Sequence, residues 1–161
     1  MTFVVEHYVE ERELQVIDLS LKAWSPVFAK MKQAVPAYVY NAFYPDGWEA
    51  RQVADIKAVL HGDAEAIWTA RDGEHIVGWA GIRVHREDQM GEVYVIAVDP
   101  ARQREGIATA LMETAFSHMR EAGLKMAMVE TGGDPGHEAS RATYEKAGFE
   151  RWPVARYFRE L

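Results

Sequence analysis

The segment Glu92–Val98, EVYVIAV, constrains this chain more than any other. Read as a strand, it points Tyr94, Ile96 and Val98 to one side and Val93, Val95 and Ala97 to the other. A strand that is apolar on both faces has to be covered on both faces. The chain therefore builds a layered domain around it. Residues 98–108, VDPARQREGIA, lead from that strand into an amphipathic helix over about 103–121. The stripe of that helix is Ile107, Ala108, Leu111, Met112, Ala115, Phe116 and Met119. Gly123 stands at its C-cap, and KMAMVET (125–131) reads as the next strand. Strand, helix and strand then form a right-handed parallel crossover.

The flanking segments complete the layers. FVVEHY (3–8) is a first strand. ERELQVIDLSLKAW follows as a helix, with Leu14, Ile17, Leu21 and Trp24 at helical spacing. Ser25-Pro26 reads as a new helix start, serine capping and proline at the first position. Residues 36–48 are a loop or broken helix, and 48–61 a second helix with Val53, Ile56, Val59 and Leu60 on one face. EAIWTA (65–70) and HIVGWAGIRVH (75–85) flank Asp72-Gly73, a hairpin signal because tight turns need positive φ. EDQMG turns the chain into the central strand. GGDPG (132–136) is a loop, a short helix covers about 137–147 with Gly148 at its end, and WPVARYFREL is a closing strand. The order β-α-α-β-β-β-α-β-α-β predicts a single α/β (α+β) domain over 1–161, a mixed sheet with helices on both faces.

Composition removes several classes of function. The absence of cysteine excludes disulfides, a thiolate nucleophile, a cysteinyl acyl-enzyme and cysteine-ligated metal, and fits a cytoplasmic protein. The six histidines are scattered without HxxxH or HExxH, so no metal site is expected. GxSxG is missing too, which leaves a serine hydrolase unsupported. No apolar run approaches the roughly 20 residues that span a bilayer, and the N-terminus lacks the basic region of a signal peptide, so no membrane partner is expected. A net charge of −7 argues against a general nucleic-acid binder and would tolerate a cationic substrate.

The junction VDPARQREGIA holds more than a connection needs. A helix N-terminus presents unpaired N–H groups and partial positive charge, and anions bind there. Gly106 lets backbone approach a bulky anion, Ala108 is the next small position, and Arg102 and Arg104 add charge. Two readings stand: a pyrophosphate cradle at the carboxyl end of a central strand, or a plain turn with a solvated basic face. GxxxxGK[ST] and GxGxxG are both missing, so a P-loop and a dinucleotide fold are unsupported.

VDPARQREGIATAL resembles the acyl-CoA pyrophosphate motif of the GNAT superfamily of N-acetyltransferases, Q/R-x-x-G-x-G/A, matched by Gln103, Gly106 and Ala108 after Val98 and Pro100. ATYEKAGF (142–149) is similar to the second signature of that superfamily, and the element order resembles its fold along nearly the whole chain. The resemblance implies an acetyl-CoA-dependent transferase without a metal. It implies that backbone groups of Ile96, Ala97 and Val98 pair with the pantetheine arm. It implies that the pyrophosphate lies on Gln103, Arg104, Glu105, Gly106, Ile107, Ala108 and Thr109. Tyr144 matches the tyrosine that in many members protonates the leaving thiolate, a role suited to a phenol with an ordinary pKa of about 10; the alternative is an aromatic that packs on the sheet.

Glu92 matches a position used as a base by some members, or it is a solvated strand-end carboxylate. Glu130, placed with the substrate, and His137, whose ordinary pKa lies near neutrality, are further candidates. His137 stands seven residues before the tyrosine, where many members carry asparagine, and Ser140 replaces a common alanine. ETGGDPGHEAS looks like a loop of a bacterial subset, and His137 is assigned to the cofactor side. The acceptor pocket of this fold lies around the first helices, where Tyr40, Tyr44 and Trp48 sit among turn residues; Trp24 and Phe28 are read as core. Aromatic faces can hold an ammonium group. The expected reaction is direct transfer of acetyl to a primary amine of a small molecule or peptide, with a homodimer by family habit. The rival is an acyl-CoA-binding sensor or interaction module without activity.

Overall fold

The computed structural model describes residues 2–161. Ten main elements run in the order β1 (Val4–His7), α1 (Glu13–Ala34), α2 (Ala37–Phe43), α3 (Trp48–Ala58), β2 (Ala66–Asp72), β3 (His75–His85), β4 (Met90–Val98), α4 (Ile107–Glu121), β5 (Met126–Met128) and α5 (Glu138–Lys146). The five strands form one sheet in sequence order. β1 to β4 are antiparallel neighbours, and β5 lies parallel to β4 across the α4 crossover. The expected mixed sheet is therefore present, with helices on both faces.

Each face has its own core. On one, α4 lays Ile107, Leu111, Ala115 and Met119 on Trp68, Ala80, Ile82 and Val93. On the other, Val16 and Leu19 of α1 and Ile56 of α3 meet Trp79, Ile76 and Ala97. Trp79 is fully buried, and its indole N–H donates to Ser20 Oγ at 2.7 Å. Ser20 in turn donates to the Val16 carbonyl at 2.6 Å, so the one buried polar pair on this face is satisfied within the described residues.

Four expectations change. Ser25-Pro26 does not start a helix: α1 runs through Pro26 as one helix of 22 residues. An interior proline costs about 3 kcal/mol. Burial of Val16 and Leu19 before it and Phe28 after it on one continuous helix outweighs that cost. The buried stripe is also rotated from the expected one, for Leu14 is 80% exposed. Second, α4 begins at Ile107 and not near 103, because Arg104 (φ 67°) and Gly106 (φ 85°) are left-handed and cannot belong to a helix. Third, β5 has three residues and not the seven of 125–131. Fourth, no closing strand forms: residues 149–161 carry no regular structure, and Phe158 rests edge-on against Phe43 of α2 at 5.8 Å.

The facing of the central strand changes as well. Gly81 pairs with Val95 and Ile82 with Val93, so Tyr94 is the extra residue of a β-bulge. The bulge shifts the alternation by one. Val93 joins Ile96 and Val98 on the α4 side, while Val95 and Ala97 face α1 and α3. Val93 and Val95 thus lie on opposite faces, and Glu92 does not share a face with Ile96.

Helix α4 is seated by a glycine. A Cβ on Gly78 of β3 would stand 2.7 Å from Ile107 Cγ2 and 3.2 Å from Leu111 Cδ1. Gly78→Ala is expected to lower stability by about 1–3 kcal/mol through overpacking, read as a lower urea midpoint at unchanged m-value. An unchanged midpoint would show that α4 yields freely at this end.

Candidate active site

β4 and β5 pair only at Met90–Met126, Gly91–Ala127 and Glu92–Met128. Beyond Glu92, β4 continues to Val98 bonded to β3 alone. Its other edge, which includes Ile96, Ala97 and Val98, has no ladder partner among the described residues. The two strands diverge toward the carboxyl end of β4, and the start of α4 lies at that end.

After β4, Asp99 Oδ1 accepts from the Ala101 N–H at 2.9 Å, and Pro100 opens a single helical turn. The chain then passes through left-handed Arg104 and Gly106 into α4. Among the described residues, no backbone N–H from Gln103 through Thr109 donates to a protein acceptor. A Cβ on Gly106 would meet nothing within 4 Å. The glycine therefore answers to its positive φ and leaves the space before the helix clear. A bundle of free N–H groups at the positive end of a 15-residue helix suits a phosphate-type anion.

The arginines contribute differently from expectation. Arg102 does not offer a free charge. Its Nε donates to Glu105 Oε2 at 2.6 Å and its Nη1 to Asp72 Oδ2 at 2.9 Å. It ties the junction to the β2–β3 hairpin and so fixes the loop. Its Nη2 is buried without a partner among the described residues. Arg104 is the exposed cation of the stretch.

Tyr144, on α5, is partly buried, and burial pushes its hydroxyl up to about 12. Its ring meets Phe149 edge-on at 6.1 Å, and Phe149 meets Phe116 of α4 at 5.7 Å. The aromatic relay holds α5 to α4. A phenol so placed is a proton donor throughout the neutral range.

Glu92 sits where the β4–β5 gap closes, and its side chain is 14% exposed. His85 Nε2 donates to Glu92 Oε2 at 2.9 Å. That bond holds the imidazole above its ordinary pKa. Beside the pair, the Arg83 guanidinium lies 3.3 Å from the centroid of the Tyr94 ring and covers the bulge. His85 and Arg83 escaped the sequence reading. Hairpin arithmetic across the turn, His85 opposite Met90 and Arg83 opposite Glu92, was the signal that could have found them.

The remaining candidates scatter. His137 Nδ1 donates to Asp134 Oδ1 at 2.6 Å, within a loop that Arg141 ties through the carbonyls of Gly132 and Asp134. A Cβ on Gly136 would stand 2.6 Å from the Val27 carbonyl, which seats this loop on α1. Glu130 is exposed, beyond the last β5 residue. Tyr40, Tyr44 and Trp48 do come together, but on each other and on Phe28. Trp48 stacks on Phe28 at 4.5 Å, Tyr44 meets Tyr40 at 4.9 Å, and Arg51 lies 5.6 Å from the Tyr44 centroid. Trp24 and Phe28 are packed inward as expected.

Comparisons with known proteins agree with this geometry. The mycothiol acetyltransferase of Nocardia farcinica is 33% identical over 108 residues, 64% of this chain and 35% of that protein. The chain spans about a third of the length of that relative. Among solved structures, the PaiA N-acetyltransferase of Thermoplasma acidophilum in complex with coenzyme A superposes with a TM-score of 0.72 at 13% identity, covering 96% of this chain and 94% of that one. An aminoglycoside antibiotic 6'-N-acetyltransferase from Acinetobacter haemolyticus gives 0.68 at 18% identity, covering 98% of each chain. The model of the acetyltransferase (GNAT) family matches residues 36–149, from α2 through the end of α5. Cradle, strand split and tyrosine helix all fall inside that span, and the chain belongs to the acetyltransferase (GNAT) family.

Proposed function

We propose that this protein moves an acetyl group from acetyl-CoA to a primary amine by direct transfer. The observation that carries the reading is the coincidence of two unpaired backbone edges: β4 beyond Glu92, and the N–H run from Gln103 to Thr109. One accepts a pyrophosphate; the other offers ladder partners to an amide-bearing arm such as pantetheine. Ile96, Ala97 and Val98 supply that edge, and a β4 N–H polarises the thioester carbonyl. No observation favours a binding module without activity.

The roles of the side chains follow from their chemistry. The amine nitrogen forms a bond to the thioester carbonyl carbon, and the carbon–sulfur bond breaks. Glu92, directly or through a water, takes the proton that the nitrogen loses. Tyr144 gives its phenolic proton to the departing sulfur and is reprotonated from solvent. His85 holds the Glu92 carboxylate in place. Arg104 is suited to the cosubstrate's phosphates, and His137 to holding the loop that leads into α5.

The acceptor is a small-molecule amine in this reading, with peptide amines the less supported choice. Two supports are the names of the relatives and the net charge of −7, which attracts cations. Tyr40, Tyr44 and Trp48 shape the wall near α2 more by packing than by open ring faces. No helix is long and apolar enough to cross a membrane among the described residues. A cytoplasmic enzyme is the setting we infer.

The test is acetyl-CoA-dependent thiol release with a panel of amines. Tyr144→Phe is expected to lower kcat by about a hundredfold or more while leaving coenzyme A binding intact. Equal turnover in the mutant would remove Tyr144 from the chemistry. Glu92→Gln is expected to lower kcat/KM at neutral pH by a similar factor, with partial recovery at alkaline pH, where more of the amine is already neutral. The His85–Glu92 pair also has a stability signature. A histidine whose folded pKa is raised stabilises below its unfolded value of about 6.5, and this is lost as pH rises through the folded value. The Tm difference between wild type and His85→Gln should therefore be largest near pH 5–6 and vanish on the alkaline side. A difference that grows with pH would refute the pairing.

A further inference from the structure

The ladder sets Arg83 of β3 directly opposite Glu92 of β4. Ile82, Val84 and Val93 pack toward α4, so Arg83 and Glu92 stand on the other face, the one that carries α1 and α3. Opposed residues of an antiparallel pair hold their Cβ atoms about 5 Å apart. The two charges nevertheless turn to other partners. Glu92 Oε2 accepts from His85, and the Arg83 guanidinium lies over the Tyr94 ring, 3.3 Å from its centroid.

The hydrogen-bonding capacity of Arg83 is left unspent. A guanidinium carries five N–H donors in its own plane, and stacking on a ring uses the flat face and none of the donors. Nε is buried without a partner among the described residues. Asp63 Oδ2 stands 3.7 Å from Nη2, beyond hydrogen-bond reach, and that carboxylate is itself 76% exposed. The charges on either side are paired, Arg86 with Glu65 at 3.2 Å and His85 with Glu92 at 2.9 Å. The Arg83 side chain is 27% exposed. With Nε buried, that exposure leaves the Nη groups at the end of the side chain to meet a ligand.

The open guanidinium is also well placed. Tyr94 lies two residues beyond Glu92 along β4, so the stack turns Arg83 toward the stretch where β4 has lost its β5 partner. The His85 bond occupies one oxygen of Glu92 and leaves Oε1 for a substrate ammonium group. An anion site and a cation site a few ångströms apart suit a small molecule that bears both an amine and a carboxylate. Arginine binds a carboxylate by two parallel N–H bonds. Asp63, Glu65 and Glu92 surround the single open cation, and they repel a dianionic phosphate more than a monoanionic carboxylate.

Resting on the acetyl-transfer reading, we propose that the acceptor is a free amino acid. Its ammonium group sits on Glu92, its carboxylate is bound by the Nη groups of Arg83, and Tyr94 is the platform that holds the guanidinium in place. Arg83 is then a specificity-determining residue, and the product is the N-acetyl amino acid.

Isothermal titration calorimetry on the full chain, with coenzyme A present, separates binding from turnover. The probes are the L-amino acids, their amides and O-phosphoethanolamine. A free amino acid should bind about tenfold or more tighter than its own amide. In Arg83→Gln that preference should disappear, with coenzyme A affinity and the far-ultraviolet circular dichroism unchanged. Arg83→Lys, which keeps the charge and loses the fork, should retain part of it. Equal binding of acid and amide by the wild type, or binding of neither, overturns the proposal. So does loss of acid and amide alike in Arg83→Gln, the mark of a merely structural arginine, and so does O-phosphoethanolamine binding tighter than every amino acid. Binding that needs both the carboxylate and Arg83, without thiol release from acetyl-CoA, would uphold the site and refute the acetyl-transfer reading instead.

Discussion

Beyond Glu92 the backbone of β4 is bonded on one side only, and the rest of the site is arranged around that loss. Parallel strands normally run their ladder to the end, because a backbone group withdrawn from water without a partner costs about 1–3 kcal/mol. Here the ladder stops after three pairs. The bulge at Tyr94 bends β4 at the point of separation. Gly81 stands opposite, where an added Cβ would lie 3.2 Å from Val95 Cγ1, so β3 follows the bend without a side chain in the way. Arg83 stacks on Tyr94 and closes the outside of the bulge. The fold thus holds open an edge that a ligand amide can complete.

The second free edge, at the start of α4, is held by charge pairs that lie away from it. Arg102 is consumed by Glu105 and Asp72. Those bonds keep the junction rigid while the N–H groups from Gln103 to Thr109 stay unpaired. The helix is pressed down by Ile107 and Leu111 onto Gly78, which sets the depth of its N-terminus against β3. Preorganised donors of this kind need little rearrangement when an anion arrives. Both edges meet at the carboxyl end of the central strand, and α5 brings Tyr144 to α4 through the Phe149–Phe116 contact.

Much of this was legible in order and type. The apolar strand, the crossover helix, the hairpin at Gly73 and the tyrosine helix before Gly148 all rest on local signals, periodicity and glycine at positive φ. Misreadings arose where a local signal met a nonlocal one. Ser25-Pro26 has every mark of a helix start, yet packing on both sides of it keeps one helix intact. Arg102 looked like free charge although one partner, Glu105, stands three residues on; its other partner, Asp72, is 30 residues away. WPVARYFREL has strand composition, yet composition alone forms no ladder, and the segment leads to Phe43 of α2 instead.

The sequence by itself determined the layers, the place of the glycine junction before α4 and the tyrosine-bearing helix after β5. Each depends on the chemistry of residues within about one turn or one strand of one another. Tertiary structure alone decided which face Val93 and Val95 take, that His85 holds Glu92, that the rings of Tyr44 and Trp48 are spent on Phe28 and Arg51, and where β4 and β5 part. A single extra residue in a strand reverses the facing of every residue beyond it. Its place is fixed by the strand opposite, and no window along one strand contains that information.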